Sequence, residues 1–270
     1  MLKPMQSPGP TQFARELAEI AWHAGEIILS HYERQGAIET RHKDDASPVT
    51  AADEEAEEFI LARLCHLAAG CAVIAEEDVA AGHRQAIGDR FFLVDPLDGT
   101  KEFINRNGEF TVNIAEIVKK KPVRGVVYAP AIGRLFVGEM PGGAFEIKTQ
   151  PHILPDFDNP RRIIARLPDD GLVAVASRSH RDEKTEEYLA NFPVKEFVSA
   201  GSSLKFCLVA AGEADIYPRH GRTMEWDTGA GHAVLAAAGG SVKQLNGKPF
   251  VYGKTEESYA NPFFVARGCT

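Results

Sequence analysis

The sequence predicts a mixed α/β and α+β fold in two halves, and three features carry that prediction. Residues 111–148 read as a run of antiparallel strands separated by tight turns. From residue 172 onward, short apolar strands alternate with helices. Between the two, residues 149–171 become proline- and charge-rich (Pro151, Pro155, Pro160, Pro168) and mark a junction. The expected division is an N-terminal α+β half over 1–160 and a C-terminal α/β half over 161–270.

Phe13, Leu17, Ile20, Ala24, Ile27 and Ile28 recur at helical spacing and predict an amphipathic helix over 11–34. The polar stretch 35–48, with His42, Lys43, Asp44 and Asp45, predicts a loop. A second helix starts near Thr50, where Thr50 and Asp53 have the spacing of a capping box with Asp in place of Glu. Ala56, Phe59, Ile60, Leu64 and Leu67 supply its apolar face. Residues 72–75 and 91–94 predict short buried strands that end at Glu76-Glu77-Asp78 and at Asp95-Pro96. Strands follow at 111–118, 123–128, 134–138 and 143–148. In the second half, strands 172–176, 194–198 and 214–217 precede helices 182–191, 202–211 and 227–238.

A chain of 270 residues can bury a large core. Its net charge of −8 argues against gripping a nucleic-acid polymer through a basic face. An anionic substrate is still compatible, because carboxylates that hold divalent cations invert the local field. Cys65, Cys71, Cys207 and Cys269 form no C-x-x-C pair, so reduced thiols in a cytoplasmic protein are expected rather than a zinc or redox site. No signal-peptide pattern and no apolar run near the roughly 20 residues of a membrane span is visible. Peripheral contact with the inner membrane and the oligomeric state are left open.

The chemistry concentrates in three segments. In Asp95-Pro96-Leu97-Asp98-Gly99-Thr100 an apolar strand delivers Asp95 at its end, Pro96 stops regular pairing, and Asp98-Gly99 turns the chain. Two carboxylates three residues apart on such a turn can converge, and hard oxygen donors of this kind suit Mg²⁺. The amides of Gly99 and Thr100 are then free to face an anion. An ordinary strand-ending turn is about equally consistent with that segment alone. Glu76 changes the balance: if strands 72–75 and 91–94 are neighbours, Glu76 and Asp95 end on one rim, where open α/β sheets put their sites. In Trp226-Asp227-Thr228-Gly229-Ala230-Gly231, Asp227 stands where a helix begins, either serving the helix dipole or acting as a further ligand. The small residues after it allow that helix to pack closely.

Asp95–Thr100 (DPLDGT), Glu76-Glu77 and Trp226–Gly231 (WDTGAG) together resemble the inositol monophosphatase superfamily, and the resemblance spans nearly the whole chain. Residues 95–113 (DPLDGTKEFINRNGEFTVN), 176–180 (ASRSH), 201–206 (GSSLKF) and 217–219 (YPR) are most similar to its bacterial 3′(2′),5′-bisphosphate nucleotidases. Gly229 departs from the pattern, since relatives often carry Ala there. The resemblance implies a layered αβαβα sandwich and a Mg²⁺-dependent, Li⁺-sensitive phosphatase with two or three Mg²⁺ ions. It implies Glu76, Asp95, Asp98 and Asp227 as metal carboxylates, with the carbonyl of Leu97 as a backbone ligand. Asp98, Gly99, Thr100 and Asp227 would border the phosphate that is removed. Glu76, or the Thr100–Asp53 pair, would accept the proton of the attacking water, and the sequence leaves that choice open. No covalent phosphoenzyme is implied.

The same resemblance lays His180 against an adenine and lets Ser202, Lys205 and Arg219 clasp a second phosphate. Ser202 and Lys205, three apart, would share a face of the predicted helix 202–211. The implied reaction is hydrolysis of 3′-phosphoadenosine 5′-phosphate, a small nucleotide partner, to AMP and phosphate. The competing expectations are an inositol or sugar monophosphatase, and a non-catalytic metal- or nucleotide-binding regulator.

Overall fold

The computed structural model describes residues 9–35, 38, 40–42, 48–177 and 183–269. Helix α1 is Gln12–Tyr32, opened by Thr11, whose hydroxyl accepts the amide of Ala14. Two short strands, β1 (Arg41–His42) and β2 (Pro48–Val49), pair antiparallel inside the stretch expected to be a loop. Helix α2 (Ala51–Leu67) follows, opened by the expected capping box: Asp53 accepts the Thr50 amide, and Thr50 accepts the Ala52 amide.

A seven-stranded sheet comes next. Its strands are β3 (Ala72–Ala75), β4 (Arg90–Asp98), β5 (Thr111–Val118), β6 (Lys121–Ala129), β7 (Arg134–Glu139), β8 (Gly143–Lys148) and β9 (Arg161–Ile163), and they lie in chain order. Only β3 and β4 run parallel. Two one-turn helices, α3 (Glu76–Ala80) and α4 (Thr100–Ile104), leave the ends of β3 and β4.

The second sheet is mixed. Its strands are β10 (Leu172–Ser177), β11 (Val194–Ala200), β12 (Ile216–Arg219), β13 (Ser241–Gln244) and β14 (Phe264–Arg267), in the order β11-β10-β12-β14-β13. Helices α5 (Glu183–Leu189), α6 (Leu204–Ala210) and α7 (Glu225–Ala237) connect them.

The strand period of two sorts the seven-stranded sheet into two faces. Phe92, Val94, Ile114, Val126 and Val137 pack with Leu17, Ile28 and Ile60 under α1 and α2. Leu93, Ala115, Val127 and Phe136 point the other way, onto Ala230 and Val234 of α7 and Phe206 of α6. Val173, Val175 and Phe264 of the second sheet close that core from beyond, and Ala174, Ile216 and Val265 carry Leu189 of α5 outside. The layers are therefore αβαβα, with α6 and α7 in the middle. Close approach of α7 needs the absence of side chains beneath it: a Cβ on Gly125 would lie 2.4 Å from the Ala230 carbonyl, and one on Gly138 2.4 Å from Val234 Cα.

Three expectations change. Pro96 does not end the pairing, because β4 continues to Asp98 with a register shift: Asp95 faces Asn113 and Asp98 faces Thr111. Three steps on one strand match two on the other, a bulge that accommodates the missing amide of Pro96. The helix expected from 202 begins at Leu204, and Ser202 has φ +50°, so Ser202 and Lys205 are not aligned by helical spacing. Strands β9, β13 and β14 and helices α3 and α4 were not foreseen; they are three to five residues long, too short to show a period.

Candidate active site

Parallel pairing of β3 with β4 sets Ala75 beside Val94, so Glu76, just past the end of β3, comes next to Asp95 on β4. Asp227 arrives from the other half of the chain, on the first turn of α7, where its Oδ2 accepts the Met224 amide at 2.8 Å. One carboxylate oxygen each from Glu76, Asp95 and Asp227 lies within 4.8 Å of the others. Asp98 lines the same cavity of about 300 Å³, together with Glu76, Thr100, Lys205, Arg219 and Asp227.

These carboxylates oppose one another. Burial pushes Asp227 well above the usual carboxylate range, and the charges of Asp98 and Glu76 push it further. Burial also raises Asp98, against the pull of Lys205 and the amide of Ser203. A cluster of hard oxygens that repel one another is the donor set a small divalent cation neutralises, so these residues fit such an ion.

Gly99 makes the turn after Asp98 with φ +93°, and a Cβ there would lie 2.2 Å from Ser202 Oγ. The Ser202 hydroxyl is within reach of the Asp98 carbonyl (2.7 Å) and the Glu109 carbonyl (2.9 Å), so it ties two loops together at the cavity wall. Thr100 Oγ1 stands 3.3 Å from both Asp53 Oδ1 and the Leu97 carbonyl. Asp53 therefore does two things at once, since its Oδ2 caps α2 through Thr50.

The same cavity is also lined by two cationic side chains, Lys205 and Arg219. Lys205 is buried, with Nζ 3.4 Å from the Ala200 carbonyl and 5.5 Å from the Tyr217 ring. Burial pushes its ammonium down to about 8, although Asp98 pulls the other way. Arg219 keeps a buried Nε without a hydrogen-bond partner. His180 lies outside the described residues.

Two supporting residues escaped sequence reasoning. Glu57, buried on α2, accepts the amides of Glu77 (2.9 Å) and Asp78 (2.7 Å) and so holds the start of α3, where Glu76 sits. Glu225, fully buried, accepts the amides of Gly253 and Lys254 beside the start of α7. Each occupies a helical position where a charged residue reads as solvent-facing. Only the excess of acid in Glu54-Glu55-Ala56-Glu57-Glu58 hinted at the first, and nothing at the second.

The model of the inositol monophosphatase family matches residues 10–267. The chain belongs to that family. It is 44% identical over 249 residues to the 3′(2′),5′-bisphosphate nucleotidase CysQ of Shigella flexneri, covering 92% of this chain and 97% of the relative. It is 43% identical over 253 residues to CysQ of Escherichia coli K12, at the same coverages. Among solved structures, CysQ of Bacteroides thetaiotaomicron superposes with a TM-score of 0.80 at 40% identity, covering 95% of this chain and 97% of that one. The extragenic suppressor protein SuhB of Bartonella henselae gives 0.75 at 25% identity, covering 96% and 94%. The layered αβαβα sandwich is thus the family's fold as well as this chain's. Among the described residues, no helix is long and apolar enough to cross a membrane.

Proposed function

We propose that this chain is a 3′(2′),5′-bisphosphate nucleotidase that hydrolyses 3′-phosphoadenosine 5′-phosphate to AMP and phosphate. The observation that carries the reading is one cavity lined both by converging carboxylates and by Lys205 and Arg219, whose Nε is buried without a partner. An ester with a single phosphate needs one set of anion-holding groups; a bisphosphate needs a second, which the two cations can supply beside the metal ligands.

Glu76, Asp95, Asp98, Asp227 and the Leu97 carbonyl would hold Mg²⁺, two or three ions with substrate present. The bound cations supply positive charge at the phosphoryl oxygens and ease deprotonation of water beside them. Asp98, Gly99 and Thr100 border the departing phosphate. The Thr100 hydroxyl, hydrogen-bonded to Asp53, orients the attacking water, and Asp53 takes up its proton through Thr100. Lys205 and Arg219 hold the phosphate that stays on the ribose, with Ser202 shaping the cavity wall, and His180 is assigned to the base. No side chain acts as a nucleophile.

The test is phosphate release from a panel of esters, with and without Mg²⁺ and Li⁺. The expected result is Mg²⁺-dependent release fastest from 3′-phosphoadenosine 5′-phosphate and suppressed by Li⁺. Equal or better kcat/KM on inositol 1-phosphate would reassign the enzyme to monophosphates. No release from any ester would leave a metal- or nucleotide-binding regulator.

A further inference from the structure

Asp98 reaches the cavity from the end of β4 and Asp227 from the first turn of α7, in different halves of the chain, and a buried polar pair joins them. Asn113 stands on β5 directly opposite Asp95, at the edge of the β4 bulge. Its Nδ2 lies 3.4 Å from Asp98 Oδ2 and 3.1 Å from Ser203 Oγ, while its Oδ1 accepts the Thr111 hydroxyl at 3.1 Å. The acceptor-only carboxylate and the Thr111 donor together fix which way the amide faces.

Ser203, just before α6, contacts both carboxylate-bearing segments. Its backbone amide donates to Asp98 Oδ2 at 2.7 Å, and its hydroxyl donates to the Asp227 carbonyl at 2.5 Å. Asn113, Ser203 and Thr111 are all essentially without solvent exposure. Both donors on Asp98 fall on Oδ2, so neither engages its Oδ1.

We propose that Asn113 and Ser203 are positioning residues that join Asp98 and Asp227 into one ligand set and thereby set its affinity for the divalent cation. The inference rests on the metal-ligand reading given above. Carboxylates that repel one another would splay apart if left to their own rotamers. Here one oxygen of Asp98 is pinned, and the turn of α7 that carries Asp227 is pinned through its backbone. Groups that orient metal ligands in this way typically contribute about 10–100-fold in metal affinity.

The experiment is calorimetric titration of the full-length protein with MgCl₂ alone, without nucleotide, on the parent, Ser203→Ala, Asn113→Ala and the double variant. Each single change is expected to weaken Mg²⁺ binding by about tenfold. The double variant should lose less than the product of the two, because both act on one network. Kinetics should split in the same sense: half-saturating Mg²⁺ rises, kcat recovers at saturating Mg²⁺, and KM for the nucleotide holds steady. General loosening of the fold would not produce that split. If Asn113→Ala does not fold, Ser203→Ala decides alone, since it removes one oxygen and keeps the amide on Asp98. A folded Ser203→Ala protein that binds Mg²⁺ within twofold of the parent overturns the proposal. Asp98→Asn run alongside separates the two levels. If it binds Mg²⁺ normally, the ligand reading itself has failed; if it loses Mg²⁺ while Ser203→Ala does not, only the positioning role has.

Discussion

Two groups of carboxylates in this molecule, one fully buried on the large sheet and one half-buried in the cavity, meet opposite fates. On the seven-stranded sheet, Glu146 is fully buried yet accepts from Arg134 (2.7 Å), Lys148 (2.8 Å) and Arg161. Nearby, Arg124 bridges Glu116 and Glu139 at 2.6 Å each, and Thr11 adds its amide and hydroxyl to Glu139. Burial alone would raise Glu146, but hydrogen bonds from Lys148, Arg161 and Arg134 hold it down at about 2. In the cavity, burial raises Asp98 and Asp227, and their acidic neighbours add to the rise. A carboxylate that has its guanidinium serves the fold. One that shares its site with other carboxylates stores a demand for positive charge, which a cation from solution can meet.

Substitutions should break this contrast in different ways. Asp227→Asn is expected to lower kcat by about 10³-fold or more, roughly 4 kcal/mol of barrier. The metal-free protein should melt no lower than the parent, because a repelling charge has gone. A marked drop in melting temperature would show that Asp227 serves structure rather than catalysis.

Glu146→Gln should do the reverse. Removing one member of a buried ion network typically costs about 3–5 kcal/mol, so denaturant unfolding should shift strongly. KM and kcat per folded molecule should stay near the parent's at low temperature.

Arg219→Ala is expected to reduce kcat/KM for the bisphosphate by about 10²-fold, or about 3 kcal/mol, as befits loss of a charge-assisted contact to an anion. A mononucleotide 3′-phosphate should be affected much less. Equal losses on both substrates would remove Arg219 from the second phosphate.

The smallest effect is a pH dependence. Lys205 titrates near 8 in the fold, below its ordinary value of 10.5. As pH rises through about 8 the substrate-free enzyme loses that positive charge, so kcat/KM for the bisphosphate should fall. Lys205→Arg should flatten this limb. Stability moves the other way: between about 8 and 10.5 the unfolded chain binds the extra proton, so this lysine's contribution to stability rises with pH. Glu146 has the sign of a depressed carboxylate. Its stabilisation is present above about 4.5 and is lost as pH falls toward about 2.

Much of the architecture follows from local pattern. The apolar spacing in α1 and α2 and the Thr50–Asp53 cap follow from a 3.6-residue period acting on neighbouring residues, and the turns between β5, β6, β7 and β8 mark those strands; each matches its element closely. Glu76 and Asp95-Asp98 stand out because they follow apolar runs, and Asp227 because it opens a helix rich in small residues. Elements of three to five residues such as β13 and α3 offer no period to read, and the β4 bulge depends on pairing with β5 rather than on Pro96 alone.

The amino-acid order alone determined the longer helices and strands, which side chains carry charge, and where carboxylates stand at the ends of apolar segments, since these depend on residues close along the chain. Tertiary structure alone decided that Glu76, Asp95 and Asp227 share one point within 4.8 Å, that Glu57 holds the turn carrying Glu76, and that Asn113 meets Ser203. Those contacts join residues from 19 to 151 positions apart along the chain, and their distances are set by how two sheets and the helix layer between them close on a common core.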